Sequence, residues 1–201
     1  MESYYLMSAR NSIKVASAFA PKGTKLAHEL INELDNVKEM PFELDLVKLT
    51  VDKEGLIESH NLSDLQEIWQ DYLPNSLAWP LMSTSLKFIF EKNLTGNEGI
   101  DWISVIVKRY DDKRIYFIPR FAEMLDVLDI QKTLFIQGTD MVIRPVFSLS
   151  KISKYSVFHQ PSSHNLWKIT SEIYVSGTLK KSIQKEKLTG LEFEKTSVAT
   201  P

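Results

Sequence analysis

Apolar positions along this 201-residue chain change period several times, and each change marks an element. Ala20-Pro21-Lys22-Gly23 reads as a turn. Thr24 then has N-cap chemistry, and Leu26, Leu30, Ile31 and Leu34 follow at helical spacing, predicting a helix that ends near Asn36. In the next stretch Phe42, Leu44 and Leu46 alternate in one phase, and Val47, Leu49 and Val51 in the other. A period-two strand cannot bury both sets on one face. The pattern predicts either a β-bulge near Leu46–Val47 or a strand buried on both sides. Ser63 with Gln66 three residues later resembles a capping box, and Leu65, Ile68, Trp69 and Tyr72 predict a second helix, closed by Pro74-Asn75-Ser76. A third helix is expected from Ser83 through Leu86, Ile89 and Phe90 to about Asn93. Ser176 can cap a last one carrying Leu179, Ile183 and Leu188, stopped by Thr189-Gly190.

The β signals concentrate in the second half. Trp102–Arg109 and Arg114–Ile118 flank Tyr110-Asp111-Asp112-Lys113, a hairpin with a four-residue turn. A second hairpin joins Leu134-Phe135-Ile136 to Met141-Val142-Ile143, and Pro145 confines or ends that strand. Further strands are expected at Tyr4–Met7, Ser156–His159, Leu166–Thr170, Glu172–Val175 and Leu191–Glu194, with a loose tail from Thr196. The fold class is therefore α+β: a mixed, mainly antiparallel sheet with hairpins and about four helices. No internal repeat or low-complexity linker is visible. A helix-rich part (1–95) looks too small to bury its own faces, so it and a strand-rich part (100–194) are expected to pack as one unit, a single domain over 1–201.

Composition narrows the chemistry. Hydrophobic content of 43% and charged content of 25% are ordinary globular values. The absence of cysteine removes thiolate catalysis, Cys-type zinc sites and iron–sulfur clusters. Glu2 stands where a secretory signal would be basic, and Lys14 interrupts the apolar stretch Ile13–Ala20. The expectation is a cytoplasmic protein with no membrane segment.

Catalytic patterns fail one by one. The histidines are His28, His60, His159 and His164. The last two, five apart across a Pro-containing loop, fit no zinc spacing, so all four read as surface or half-buried side chains. No Gly-x-Ser-x-Gly elbow is present, and Ser83 and Ser176 are explained as caps. Seven glycines, the closest pair being Gly96 and Gly99, form no phosphate loop. Asp111 and Asp112 belong to a turn, and Glu43 with Asp45 decorates an outward strand face rather than a glycosidase cleft. No cofactor, metal site or catalytic residue is expected, and the chain reads as a binding protein, not an enzyme. Two other readings stay open: a small hydrolase with a non-standard site, and an RNA-associated module using Lys180, Lys181, Lys185 and Lys187 of the last helix.

The net charge of −2 hides an asymmetry. Residues 33–72 hold eleven acids and three bases, a net of −8, against fifteen acids and twenty-one bases elsewhere, a net of +6. Such a segment repels nucleic acid and attracts a basic partner.

Three stretches carry a family likeness. They are Trp79-Pro80-Leu81-Met82-Ser83 with the helix through Phe90, Leu125–Thr133, and Ile173–Ser176 running on to Leu188-Thr189-Gly190-Leu191-Glu192-Phe193. Together they resemble the immunity proteins of bacterial polymorphic toxin systems, the group numbered eleven. The resemblance implies a single α+β domain without catalytic residues. It also implies a stoichiometric inhibitor that binds a cognate toxin and blocks its active site. A toxin with a basic surface would meet the acidic segment, which makes Glu43, Asp45, Asp52, Glu54, Glu58, Asp64, Glu67 and Asp71 the candidate contacts. The oligomeric state is left open.

Overall fold

The computed structural model describes residues 2–10, 14–53, 55–65, 67–163 and 165–199. In chain order the elements are β1 (Tyr4–Ala9), β2 (Ala16–Phe19), α1 (Ala27–Glu33), β3 (Leu44–Asp52), β4 (Gly55–Ser59), β5 (Met82–Ser83) and α2 (Thr84–Asn93). They continue with β6 (Ile100–Arg109), β7 (Asp112–Phe121), β8 (Leu134–Phe135), β9 (Val142–Arg144), β10 (Phe147–Ser148) and α3 (Leu149–Ile152). The last are β11 (Val157–His159), β12 (Ile173–Ser176), α4 (Gly177–Lys185), β13 (Leu191–Lys195) and β14 (Val198–Ala199). This is an α+β fold with mainly antiparallel pairing.

Two main sheets share the chain unequally. One has the order β11-β12-β1-β13. The other has the order β2-β3-β6-β7-β5, with β4 paired to β3. The segment 1–95 thus supplies an internal strand to the first sheet and both β2 and β3 to the second. The long hairpin β6–β7 joins the cores. Its odd positions Ile103, Val105 and Val107, with Tyr116 and Ile118, enter one cluster together with Leu30 and Ile31 of α1 and its C-cap Leu34. On the other face Phe121, with half-buried Ile100 and Trp102, packs into a second cluster with Leu86, Phe90, Leu179 and Ile183. Alternation of side chains along a strand is what lets one hairpin serve two cores. The rings of Phe90 and Trp102 meet edge to face at 6.3 Å.

Caps set the helix starts. The Ser83 and Ser176 hydroxyls each accept from the amide three residues on, Leu86 and Leu179, at 3.2 Å. The first helix begins later than Thr24. Leu26 is its N-cap, and the Glu29 carboxylate reaches back to the Leu26 amide at 2.9 Å, while Thr24 bonds to the Pro21 carbonyl.

β3 is buried on both faces. Leu46 and Val47 are 1% and 0% exposed, and the ladder with β2 runs unbroken from Ala16↔Lys48 to Phe19↔Asp45, so no bulge is inserted. The β6–β7 turn is tighter than expected. Arg109 pairs with Asp112, leaving only Tyr110 and Asp111 between the strands, and Tyr110 takes a left-handed φ of 51°.

Three expectations are corrected. The helix expected over Ser63–Tyr72 does not form. Ser63 instead turns back on Asn61, whose Oδ1 accepts the Ser63 amide at 3.1 Å and the hydroxyl at 2.7 Å, and Gln66 lies outside the described residues. Beyond it, backbone groups bind distant partners: the Tyr72 amide donates to the Thr189 carbonyl, and the Leu73 amide to that of Leu81. Leu166–Thr170 forms turns, not a strand. The Leu166 amide donates to the Ser163 carbonyl and the Lys168 amide to that of Asn165, turn bonds an extended run cannot make. The segment from Thr196 is pinned through Ala199: the Thr196 amide bonds to the Tyr4 carbonyl and β14 pairs parallel with β10. Among the described residues no helix is long and apolar enough to cross a membrane.

Candidate functional site

The acidic stretch is placed by β3. Leu44 and Leu46 point into a core, so Glu43 and Asp45 fall on the opposite face by alternation. There β3 starts parallel to β6, with Leu44 opposite Val107 and Asp45 opposite Lys108. Lys108 Nζ lies 3.7 Å from Glu43 and 3.5 Å from Asp45, and Lys113 of β7 donates to Glu43 at 2.6 Å. The Lys113 hydrogen bond holds the Glu43 carboxyl below the usual carboxylate range. Two acids therefore share two cations in a solvent-facing cluster, where screening keeps such pairs weak.

The other candidates divide. Asp64 accepts from Lys48 at 2.6 Å, and this bond lowers its pKa. Glu58, on β4, sits opposite Leu49 and so shares the face of Asp45. Glu58 and Glu67 are exposed and have no ion-pair partner among the described residues. Asp52 ends β3, and Glu54 lies outside the described residues. Asp71 is committed internally. Its Oδ1 accepts from the Ser83 hydroxyl at 2.6 Å, and its Oδ2 accepts from the Thr189 amide at 2.9 Å and hydroxyl at 3.3 Å.

An apolar component adjoins the acids. Ile106 and Ile115 are directly opposite each other on β6 and β7, and they are 39% and 56% exposed. With Met40, Phe42 and Glu43 they line a cavity of about 240 Å³. Both residues fall in the hairpin expected from sequence, an expectation that names neither as a surface residue. The available signal was the alternation Ser104–Ile106–Lys108, which puts Ile106 on the polar face.

Other proposed chemistry is used for structure. His159 is fully buried rather than at the surface or half-buried, edge-on to Phe121 and stacked on Trp167. Its Nε2 accepts the Leu125 amide at 3.2 Å, Nδ1 lies 3.0 Å from the Gln160 carbonyl, and burial lowers its pKa. His28 and His60 are exposed, and His164 lies outside the described residues. No group of three or more His, Asp or Glu able to hold a metal occurs among the described residues. On α4, Lys180 stands over the rings of Tyr5 and Phe193, at 3.7 and 5.4 Å.

Residues 44–198 match the model of the immunity protein family Imm11. The chain belongs to that family. No curated protein matches it. Membership in Imm11 points to an immunity function, and it implies a toxin as partner and a non-enzymatic role. The Imm11 match opens at the first residue of β3 and closes within β14, so β1, an internal strand of the first sheet, lies outside it. The closing Thr-Gly-Leu-Glu-Phe run of this Imm11 chain has a visible task. Thr189 binds Asp71, and at Gly190, with φ 81°, an added Cβ would strike the Tyr72 carbonyl oxygen and come within 2.8 Å of Gln70 Oε1.

Proposed function

We propose that this protein neutralises a cognate bacterial toxin by binding it one to one and blocking its active site. Membership in Imm11 over residues 44–198 is the observation that carries this reading. The acids of this stretch supply the electrostatic side, Glu43, Asp45 and Glu58 from one face of β3 and β4 and Asp64 from beside Lys48 on the other. Glu58 and Glu67 project charge that no ion pair among the described residues offsets, and Glu43, Asp45 and Asp64 can exchange their lysine partners for cations of a basic toxin surface. Asp52 and Glu54 extend the same acidic stretch in sequence. Asp71 acts through the fold rather than by touching the toxin. The apolar pair Ile106 and Ile115 gives the face an element that excludes water.

Co-expression in a bacterial host tests the proposal. The probe is a toxin-like C-terminal domain encoded beside this gene, and the lack of any such domain counts against the proposal. Cells producing that domain alone should stop growing, and cells producing both proteins should grow and yield a complex that survives purification. Arrest that persists despite well-expressed, folded immunity protein rejects the proposal.

A further inference from the structure

Among the described residues, exposed large apolar side chains lie closest together in sequence on the β8–β9 hairpin. The β8–β9 hairpin turns Phe135 and Val142 toward the core and leaves Leu134, Ile136, Met141 and Ile143 in solvent, 43–57% exposed. Met124 and Ile130 of the preceding loop are exposed to a similar degree. A soluble chain rarely presents such a group unless something covers it. Beside the hairpin a cavity of about 480 Å³ is lined by Leu125, Leu128, Phe135, Val142 and Trp167. Its only charged lining residues among those described are Asp126 and Asp140. Lys151 already holds Asp126 at 2.7 Å, whereas Asp140 has no ion pair among the described residues.

We infer that this hairpin and its acid-lipped cavity are the anchoring surface for the toxin, receiving an element that presents an apolar side chain beside a lysine or arginine. The inference rests on the toxin-binding reading above. Charge complementarity selects the occupant: an apolar group fills the cavity and the cation meets Asp140. A second copy of this chain is a poor occupant, because a two-fold contact would bring the same acids face to face. The two surfaces then divide the work. The acidic face speeds encounter, and the apolar hairpin slows dissociation.

Surface-immobilised toxin domain from the neighbouring gene provides the test. Met141→Asp and Ile143→Asp change exposed side chains, so the fold should survive, which far-ultraviolet circular dichroism checks. Each should weaken the complex about thirtyfold, mainly through a faster off-rate. Asp140→Lys should weaken it about fivefold, and Asp140→Asn should do so less. Off-rates unchanged in folded Met141→Asp and Ile143→Asp overturn the anchoring role and leave toxin binding intact. Failure of the wild-type chain to bind overturns both readings. A wild-type dimer in light scattering that Ile143→Asp dissolves also overturns the inference, since a second copy would then be the occupant.

Discussion

The amide of Thr189 donates to the carboxylate of Asp71 at 2.9 Å, joining positions 118 apart in sequence. The same carboxylate accepts from Ser83, the N-cap of α2, so one acid ties the loop after Leu65, the start of α2 and the turn after α4 into a single joint. Asp71→Ala leaves two amide or hydroxyl donors at Thr189 without their acceptor. It should cost about 3 kcal/mol of stability. Urea denaturation measures this. Toxin affinity of the folded variant should stay within about twofold of wild type.

Gly190 completes that joint. Gly190→Ala forces a left-handed φ on alanine and drives its Cβ against the Tyr72 carbonyl and Gln70. The expected loss is about 3 kcal/mol or more, read as a lower urea midpoint at unchanged m-value.

The acidic face should act on association rate. Glu58→Lys combined with Glu67→Lys should slow toxin binding about tenfold at low salt, with the effect shrinking as salt is raised. Glu43→Gln should do less, because Lys113 and Lys108 already offset that charge. Stopped-flow measurements at several ionic strengths separate these outcomes.

His159 gives stability a pH dependence of known sign. Burial favours its neutral form, so its folded pKa lies below the value near 6.5 of an exposed imidazole. Its contribution is present above that value. It is lost as pH falls below it, because the unfolded chain takes up a proton that the folded one resists. Denaturation midpoints should decline from pH 7 to 5, and His159→Gln should flatten that decline.

Local rules read much of this fold correctly. Ser83 and Ser176 are legible as caps because the cap and its amide partner are three residues apart. The β6–β7 hairpin is legible because its partners are contiguous in sequence. What the sequence could not show depends on distant contacts. Leu65, Ile68, Trp69 and Tyr72 keep helical spacing, yet Tyr72 pairs with Met82, its amide binds Thr189, and Tyr116 donates to the Gln70 carbonyl at 2.7 Å. Those tertiary bonds outweigh a modest helix propensity. The site was legible only as charge. A count of acids over 33–72 cannot reveal that Lys108 and Lys113 arrive from another strand pair, or that Asp71 is bound to Thr189. Alternation marks Ile106 as outward, but whether that face stays uncovered is a property of the sheet, since strand neighbours and not composition decide it.

Titration calorimetry with the purified toxin domain, paired with an assay of that toxin's activity, tests the central claim most directly. The account predicts a complex with one immunity protein per toxin and a dissociation constant of about 1 nM or below. Toxin activity should fall in proportion to the immunity protein added, reaching zero at equivalence. No binding heat, or toxin activity abolished by a small catalytic amount of the protein, would contradict it.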